Sequence, residues 1–290
     1  MIITRLIGGL GNQMFQYAAA RALALRCQVP LKLDITGFAM YADRRYELGA
    51  LAISAQPASH EELRCFGIKD GVAGKAGRWW RSLVRRGTGP VYREAHFHFD
   101  PRWTRLEAPV YLEGYWQSEK YFREIADLLR REFTTLEAMN AENARLAEVI
   151  DSSEAVSVHV RRGDYVTNPR FNSYHGTCSL EYYAGAMAHI AERVSGARFF
   201  IFSDDQDWTR DNLGGNFPMV FVEANPPECG SADMQLMRLC RHHIVANSSF
   251  SWWGAWLADS PGKIVVAPRQ WFRSTKPDDR DLVPEAWVRL

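Results

Sequence analysis

The sequence predicts an α/β protein in two halves, each built on a parallel sheet. In the first half, the apolar run Ile2–Ile7 leads into Gly8-Gly9-Leu10-Gly11-Asn12. An alanine-rich helix follows from about Gln13 to Arg26, then a second apolar run, Val29–Leu33, that ends at Asp34. Strand, loop, helix and strand in that order make a unit whose strands lie parallel. In the second half short apolar runs alternate strictly with helical patterns, which implies a doubly wound sheet with right-handed crossovers.

The elements follow in order. Regularity weakens from Glu61 to Arg105, returns with a strand at Pro109–Tyr115, and continues with helices near Ser118–Arg131 and Leu136–Ile150. The last of these reads as a connector, so the expected domains are 1–150 and 151–290. Beyond it, strands are expected at Ala155–Val160, Arg198–Phe202, Met219–Val222, His243–Ala246 and Lys263–Ala267. The helices between them fall near Ser179–Val194, Gln206–Leu213, Ser231–Arg241 and Ser249–Asp259. A chain of 290 residues is long enough for two domains of about 150 residues, each with its own core.

With 47% hydrophobic and 24% charged residues the composition is that of a globular protein. A net charge of +1 gives no bulk attraction to nucleic acid, so none is expected as a partner. No apolar run approaches the roughly 18–20 residues of a membrane span, and the N-terminus enters a strand pattern without a signal-peptide pattern. Cys27, Cys65, Cys178, Cys229 and Cys240 form no Cys-x-x-Cys pair, as expected of reduced thiols in the cytoplasm. Cys240, His242 and His243 lie close together but lack a second cluster at ligand spacing, so no metal is expected. Lys75, Arg78, Arg81, Arg85 and Arg86, with Trp79 and Trp80 among them, read first as a solvated helix face. A peripheral membrane surface or an anionic acceptor is the other use of such a stretch.

Four segments fall at strand ends, where open α/β sheets bind ligands. In His159-Val160-Arg161-Arg162-Gly163-Asp164-Tyr165 a strand delivers two guanidinium groups, whose planar forks match phosphate oxygens. The plainer alternative is a salt bridge from one arginine to Asp164. In Phe202-Ser203-Asp204-Asp205 a carboxylate can accept from ribose or base, or Ser203 and Asp204 can cap the next helix. In Asn247-Ser248-Ser249-Phe250 a strand meets a helix start, and free N–H groups with the helix dipole favour an anion; simple capping needs one such residue. Trp252, Trp253 and Trp256 read as core. The fourth segment, around Gly9 and Gly11, resembles the opening of a dinucleotide fingerprint with Asp34 as ribose acid, but Met14 replaces the third glycine.

Together, Gly8 to Gln13, His159 to Tyr165, Phe202 to Asp205 and Ala246 to Trp253 resemble the bacterial α-1,2-fucosyltransferases, in order and over nearly the whole chain. The resemblance fades between about Lys69 and Arg105, where acceptor choice is expected to reside. It implies a GT-B fold, with two Rossmann-like domains facing across a cleft. The first takes the acceptor side and the second binds GDP-L-fucose. It also implies inverting, metal-independent transfer of L-fucose to the 2-hydroxyl of a terminal β-galactoside, free or lipid-linked, without a cofactor. The location implied is cytoplasmic, including the inner face of the membrane. The catalytic residues on this basis are Arg161, Asp164 and Asn12. The donor site is His159, Arg161, Arg162, Ser203, Asp204, Asn247, Ser248, Ser249 and Phe250, and the cleft loop is Gly9, Gly11, Asn12 and Gln13. The base stays open: Asp164 lies nearest, and Glu113 is a second candidate. Two other classes remain: an NAD-dependent oxidoreductase resting on Gly9, Gly11 and Asp34, and a non-catalytic glycan-binding module suggested by ten tryptophans and eleven tyrosines.

Overall fold

A computed structural model describes residues 1–40, 44–68, 89–223, 225–226, 229–275 and 277–290. The basic stretch from Lys75 to Arg86 lies outside them. The chain divides into two compact units, one of Met1–Thr134 with Arg280–Leu282, the other of Thr135–Asp279 with Val283–Leu290.

The first unit holds β1 (Ile2–Arg5), α1 (Leu10–Arg26), β2 (Leu31–Asp34), β3 (Gln56–Pro57), α2 (His60–Arg64), β4 (Val91–Arg93), β5 (Val110–Glu113) and α3 (Ala126–Glu132). Its sheet has the order β3-β2-β1-β5-β4 with every pair parallel. Helix α1 is buried on most of its circumference, from Leu10 through Ala18, Ala19 and Ala20 to Ala24, and packs on β1 and β2. Such a helix belongs inside a layer, and its run of small alanines lets backbones approach. On the other face Ile3 and Tyr111 pack against Leu63 and Phe66 of the α2 region. The helix expected at Ser118–Arg131 is interrupted. Phe122 and Ile125 leave helical geometry (φ −147° and −113°), and the segment forms two short 3₁₀ turns before α3. The buried Phe122 ring lies 5.9 Å from Phe15, so core packing overrides the local helical pattern.

The second unit holds α4 (Ala141–Asp151), β6 (Glu154–Val160), α5 (Gly163–Thr167), α6 (Pro169–His175), α7 (Leu180–Ala191), β7 (Ala197–Ser203), α8 (Gln206–Asn212), β8 (Met219–Phe221), α9 (Gly230–Leu239), β9 (His242–Ile244), α10 (Ser249–Leu257), β10 (Val265–Ala267) and β11 (Val288–Arg289). The strand order is β11-β10-β9-β6-β7-β8, again all parallel. Alternation along the central strands covers both faces. Val156, Val158, Val160, Phe199 and Ile201 pack with Tyr183, Met187 and Ile190 of α7. Ala155, Phe200 and Phe202 pack with Ile150 of α4 and with Leu236 and Met237 of α9. Because α4 packs against α9, the structural division falls at Thr134, earlier than the sequence division at 150. The fold class is α/β, as expected, with two parallel-sheet units each covered by helices. No helix among the described residues is long and apolar enough to cross a membrane.

Two imidazoles lie in the core of the second unit. His243 is fully buried with Nδ1 2.7 Å from Ser157 Oγ, and burial pushes its pKa well below the ordinary value. His159 is 4% exposed and pushed down to about 3, first by burial and then by Arg161. The unfolded chain takes up protons near the ordinary histidine pKa of about 6.5, and the folded chain does not. Stability is therefore complete above that pH and declines as the pH falls from about 7 toward 4. For His159 the expected loss at pH 5 is about 2 kcal/mol. Urea unfolding of the wild type beside His159→Gln at pH 7 and pH 5 checks this: the wild type is expected to lose about 2 kcal/mol more than the variant over that range, and equal losses would contradict it.

Candidate active site

The carboxyl ends of β9, β6 and β7, three neighbours in the second sheet, bring the sequence segments together. Arg161 follows β6 directly. Its Nη2 donates to Asp164 Oδ1 at 2.6 Å, and its Nη1 lies 3.0 Å from Asp204 Oδ2, just past the end of β7. Its Nε is buried with no hydrogen-bond partner among the described residues. Burial opposes the guanidinium charge, but Asp204 and Asp164 outweigh it, and the pKa is raised. Arg162 is turned elsewhere: its Nε donates to Asp205 Oδ2 at 3.0 Å, and its Cζ lies 3.5 Å from the Trp208 ring centroid. The two adjacent arginines thus have different surroundings. One presents a buried donor at the strand end, and the other is clamped by a carboxylate and an indole.

Asp204 ties the two strand ends together, because its Oδ1 also accepts the Arg162 backbone N–H at 2.8 Å. A Cβ at position 163 would come 2.5 Å from Asp204 Oδ2, so the Arg161–Asp204 pairing requires glycine there. Ser203 is used in the turn: its Oγ accepts the Asp205 N–H at 3.0 Å and the Thr209 hydroxyl at 2.9 Å. Asp205 caps α8 at Trp208 N.

Asn247 and Ser248 also have internal partners. The Asn247 Nδ2 donates to the carbonyls of His175, Gly176 and Trp271 at 2.9, 3.2 and 3.2 Å. Ser248 caps α10 by accepting the Phe250 N–H. Ser249, at the first position of α10, is only partly buried, and the helix dipole is positive there. Phe250 lies 5.4 Å from the His159 ring, and the neutral His159 has an Nδ1 that is buried without a hydrogen-bond partner among the described residues. Trp252, Trp253 and Trp256 are core, as their spacing suggested. Cys240, His242 and His243 do not converge: His242 Nδ1 accepts from Ile264 N, and His243 faces Ser157. Among the described residues no group of three His, Cys, Asp or Glu side chains is placed to hold a metal ion.

The sequence did not reveal α5 and α6, which carry an aromatic ladder. Tyr165 lies 5.3 Å from the Arg161 Cζ and stacks on His175 at 4.6 Å. The available signal was Asn168-Pro169, an N-cap followed by proline at the first helical position.

In the first unit, Gly8 adopts φ +78°, and a Cβ there would meet Asn12 Nδ2 at 2.5 Å. Asn12 Oδ1 accepts from Gln117 Nε2 at 2.6 Å, which joins the loops after β1 and β5; Gln117 was not foreseen from sequence. Gly9 is the N-cap of α1 and Gly11 is buried within its first turn. Gln13 is fully buried and staples this turn to residues 45–48 through Gly8 O, Arg45 O, Glu47 N and Leu48 N. Asp34 accepts from Thr36 N and Oγ1 at Oδ1 and from the Tyr111 hydroxyl at Oδ2, so both of its oxygens have partners within the first unit. Glu113 pairs with Arg5 at 2.6 Å and Arg93 at 2.7 Å. Burial would raise its pKa, but the arginines outweigh that and hold the carboxyl below the usual range, which makes it a poor proton acceptor.

The family described as Glycosyl transferase family 11 matches residues 98–290. An Escherichia coli protein named alpha-1,2-colitosyltransferase is 35% identical, with 100% of this chain and 99% of that protein covered. The Escherichia coli O-antigen biosynthesis glycosyltransferase WbnK is 32% identical, with 98% and 99% covered. Galactoside alpha-(1,2)-fucosyltransferase 1 of Oryctolagus cuniculus is 26% identical over 87% of this chain and 62% of its own length.

The internal partners of Asn247 predict a structural role. Asn247→Ala leaves three backbone carbonyls without their shared donor and is expected to cost about 2–4 kcal/mol in stability. Ser249→Ala, at a partly exposed site, is expected to stay within about 0.5 kcal/mol. Urea unfolding of both variants checks this; a loss under about 1 kcal/mol for Asn247→Ala would contradict it.

Proposed function

The chain belongs to glycosyl transferase family 11, and on that premise we propose that it transfers L-fucose, or a closely related 6-deoxy-L-hexose, from its GDP conjugate to the 2-hydroxyl of a terminal β-galactoside with inversion. The observation that carries this reading is Arg161, a charged guanidinium held by two carboxylates with a buried donor unpartnered, at the carboxyl end of a central parallel strand. A diphosphate oxygen supplies the acceptor that Nε lacks. The α-1,2 linkage and the 6-deoxy-L-sugar are supported by the names of the relatives. Colitose is L-fucose without its 3-hydroxyl, so the choice between the two donors rests on that one group.

In this mechanism the sugar C1–O bond to the diphosphate breaks, and its electron pair leaves with GDP. The acceptor oxygen bonds C1 from the opposite face, and the acceptor proton departs. Negative charge grows on the diphosphate as the bond breaks, and Arg161 stabilises that charge more as it grows. The positive N-terminus of α10 adds to it. Asp164 and Asp204 act as orienters, holding the fork in one position before the donor arrives. Because the cationic charge comes from the protein, turnover is proposed to need no divalent ion. The second unit takes the donor and the first the acceptor, free or lipid-linked. Five free cysteines support a reducing, cytoplasmic setting.

With lactose as acceptor, GDP-L-fucose and GDP-L-colitose are tested side by side. At least one is expected to give a product whose NMR spectrum shows an α linkage to the galactose 2-oxygen. The rate in EDTA is expected to stay within about twofold of that with Mg²⁺. Activity that vanishes in EDTA and returns with Mn²⁺ would contradict the metal-free mechanism. A different linkage would contradict the assigned product.

A further inference from the structure

Three carboxylates stand at or just past the strand ends of the first sheet among the described residues: Asp34 at the end of β2, Glu113 at the end of β5 and Glu94 after β4. Asp34 is held by Thr36 and Tyr111, and Glu113 by two arginines. Glu94 is held differently. Its Oε2 accepts the Tyr115 N–H at 2.7 Å and its Oε1 the Trp116 N–H at 2.9 Å, and no arginine or lysine among the described residues forms a salt bridge with it. Each oxygen keeps a second lone pair for a further donor.

The surrounding backbone is shaped for this carboxylate. Trp116 adopts φ +57°, a left-handed conformation that a bulky residue rarely takes. It is held there by aromatic packing: Tyr92 stacks on it at 5.8 Å, with Trp103 at 4.9 Å and Tyr121 at 5.6 Å. That turn aims two successive N–H groups at Glu94. A Cβ at position 114 would come 2.5 Å from the Glu94 Cβ, so Gly114 is needed for the close approach. Strain of this kind persists where surrounding structure enforces it, most often at functional sites. Glu94, Gln117 and Asn12 follow β4, β5 and β1, three neighbouring strands, so they share one edge of the sheet.

We propose that Glu94 is the general base of the transfer, taking the proton from the acceptor hydroxyl as its oxygen bonds to the sugar C1 and GDP departs. The proposal rests on the glycosyltransfer reading above. Its chemistry balances: the carboxylate becomes a carboxylic acid, and the electron pair of the broken C1–O bond leaves on the diphosphate. Burial pushes the Glu94 carboxyl up to about 7, against the two backbone N–H groups and His96, which lower it. A base with a pKa near the working pH has the best balance of ionised fraction and proton affinity. The titratable groups around it are His96 on its own loop, Tyr115 past β5, and Tyr121, whose own pKa the Glu94 charge helps to raise. Asp100 nearby is paired with Arg102, and Arg93 with Glu113.

The test measures kcat/KM for a β-galactoside acceptor from about pH 5.5 to 8.5, with GDP binding by calorimetry alongside. The wild type is expected to lose about tenfold per pH unit below about 7, since only the ionised form accepts a proton. Glu94→Gln is expected to lower kcat by about 10²–10³ and to flatten this limb, with GDP affinity unchanged within about twofold. His96→Gln is expected to keep the limb. The proposal is overturned if Glu94→Gln keeps more than about a third of kcat, or keeps the limb while His96→Gln loses it. Should Glu94→Gln fail to fold, the wild-type profile decides: a limb near pH 7 supports the base, and a flat profile overturns it. A wild type that transfers no sugar from either GDP donor overturns the functional reading and this one together, whereas transfer that survives in Glu94→Gln removes only the base.

Discussion

The guanidinium of Arg161 sits between two carboxylates that come from different strand ends, and the rest of that edge of the second sheet is arranged around that grip. A charge taken out of water needs counter-charges with good geometry, and Asp164 and Asp204 provide them at 2.6 and 3.0 Å. The demands spread outward from there. Asp204 reaches Arg161 only because Gly163 has no side chain to block it, and it also fixes the Arg162 backbone. Arg162 is then free to turn away to Asp205 and Trp208. Tyr165 continues the order by lying beside Arg161 and stacking on His175, whose backbone carbonyl is held by Asn247. Residues that form a row of candidate ligands in the sequence also hold one another in place at this edge.

The first unit solves a related problem with backbone alone. Glu94 receives two N–H groups from a turn that aromatic packing keeps in a costly conformation. A carboxylate beside an arginine, such as Glu113, is held ionised and loses basicity. A half-buried carboxylate held mainly by backbone dipoles keeps its affinity for a proton. The contrast between Arg161, whose charge is secured by two anions, and Glu94, which accepts two backbone N–H groups and has only His96 acting on its charge among the described residues, matches the two tasks of glycosyl transfer. One is to stabilise a departing anion, and the other is to accept a proton.

Much of this was legible in the sequence. Strand and helix periodicity gave both parallel sheets, because buried parallel strands are continuous apolar runs such as Phe199 to Phe202. The strand-end positions of Arg161, Asp204 and Ser249 followed from the same pattern. What stayed hidden depends on tertiary context. The break at Phe122 comes from a ring that the core claims, and Gln13 is engaged by a loop more than thirty residues away. Asp34 looked like a ribose acid because its partner Tyr111 is distant in the chain. Glu94 gave no signal, since its environment is made by the φ of Trp116 and the missing side chain of Gly114, neither of which has a periodicity to read.

The central claim is that Arg161 recognises the diphosphate and not the nucleoside. Calorimetric binding of GDP and of guanosine monophosphate to the wild type and to Arg161→Ala tests it directly. A charge-assisted hydrogen bond to the terminal phosphate contributes about 1.5–3 kcal/mol, so the variant is expected to lose roughly 10–100-fold in GDP affinity and little for the monophosphate. Equal losses for both nucleotides, or no loss for GDP, would contradict the account.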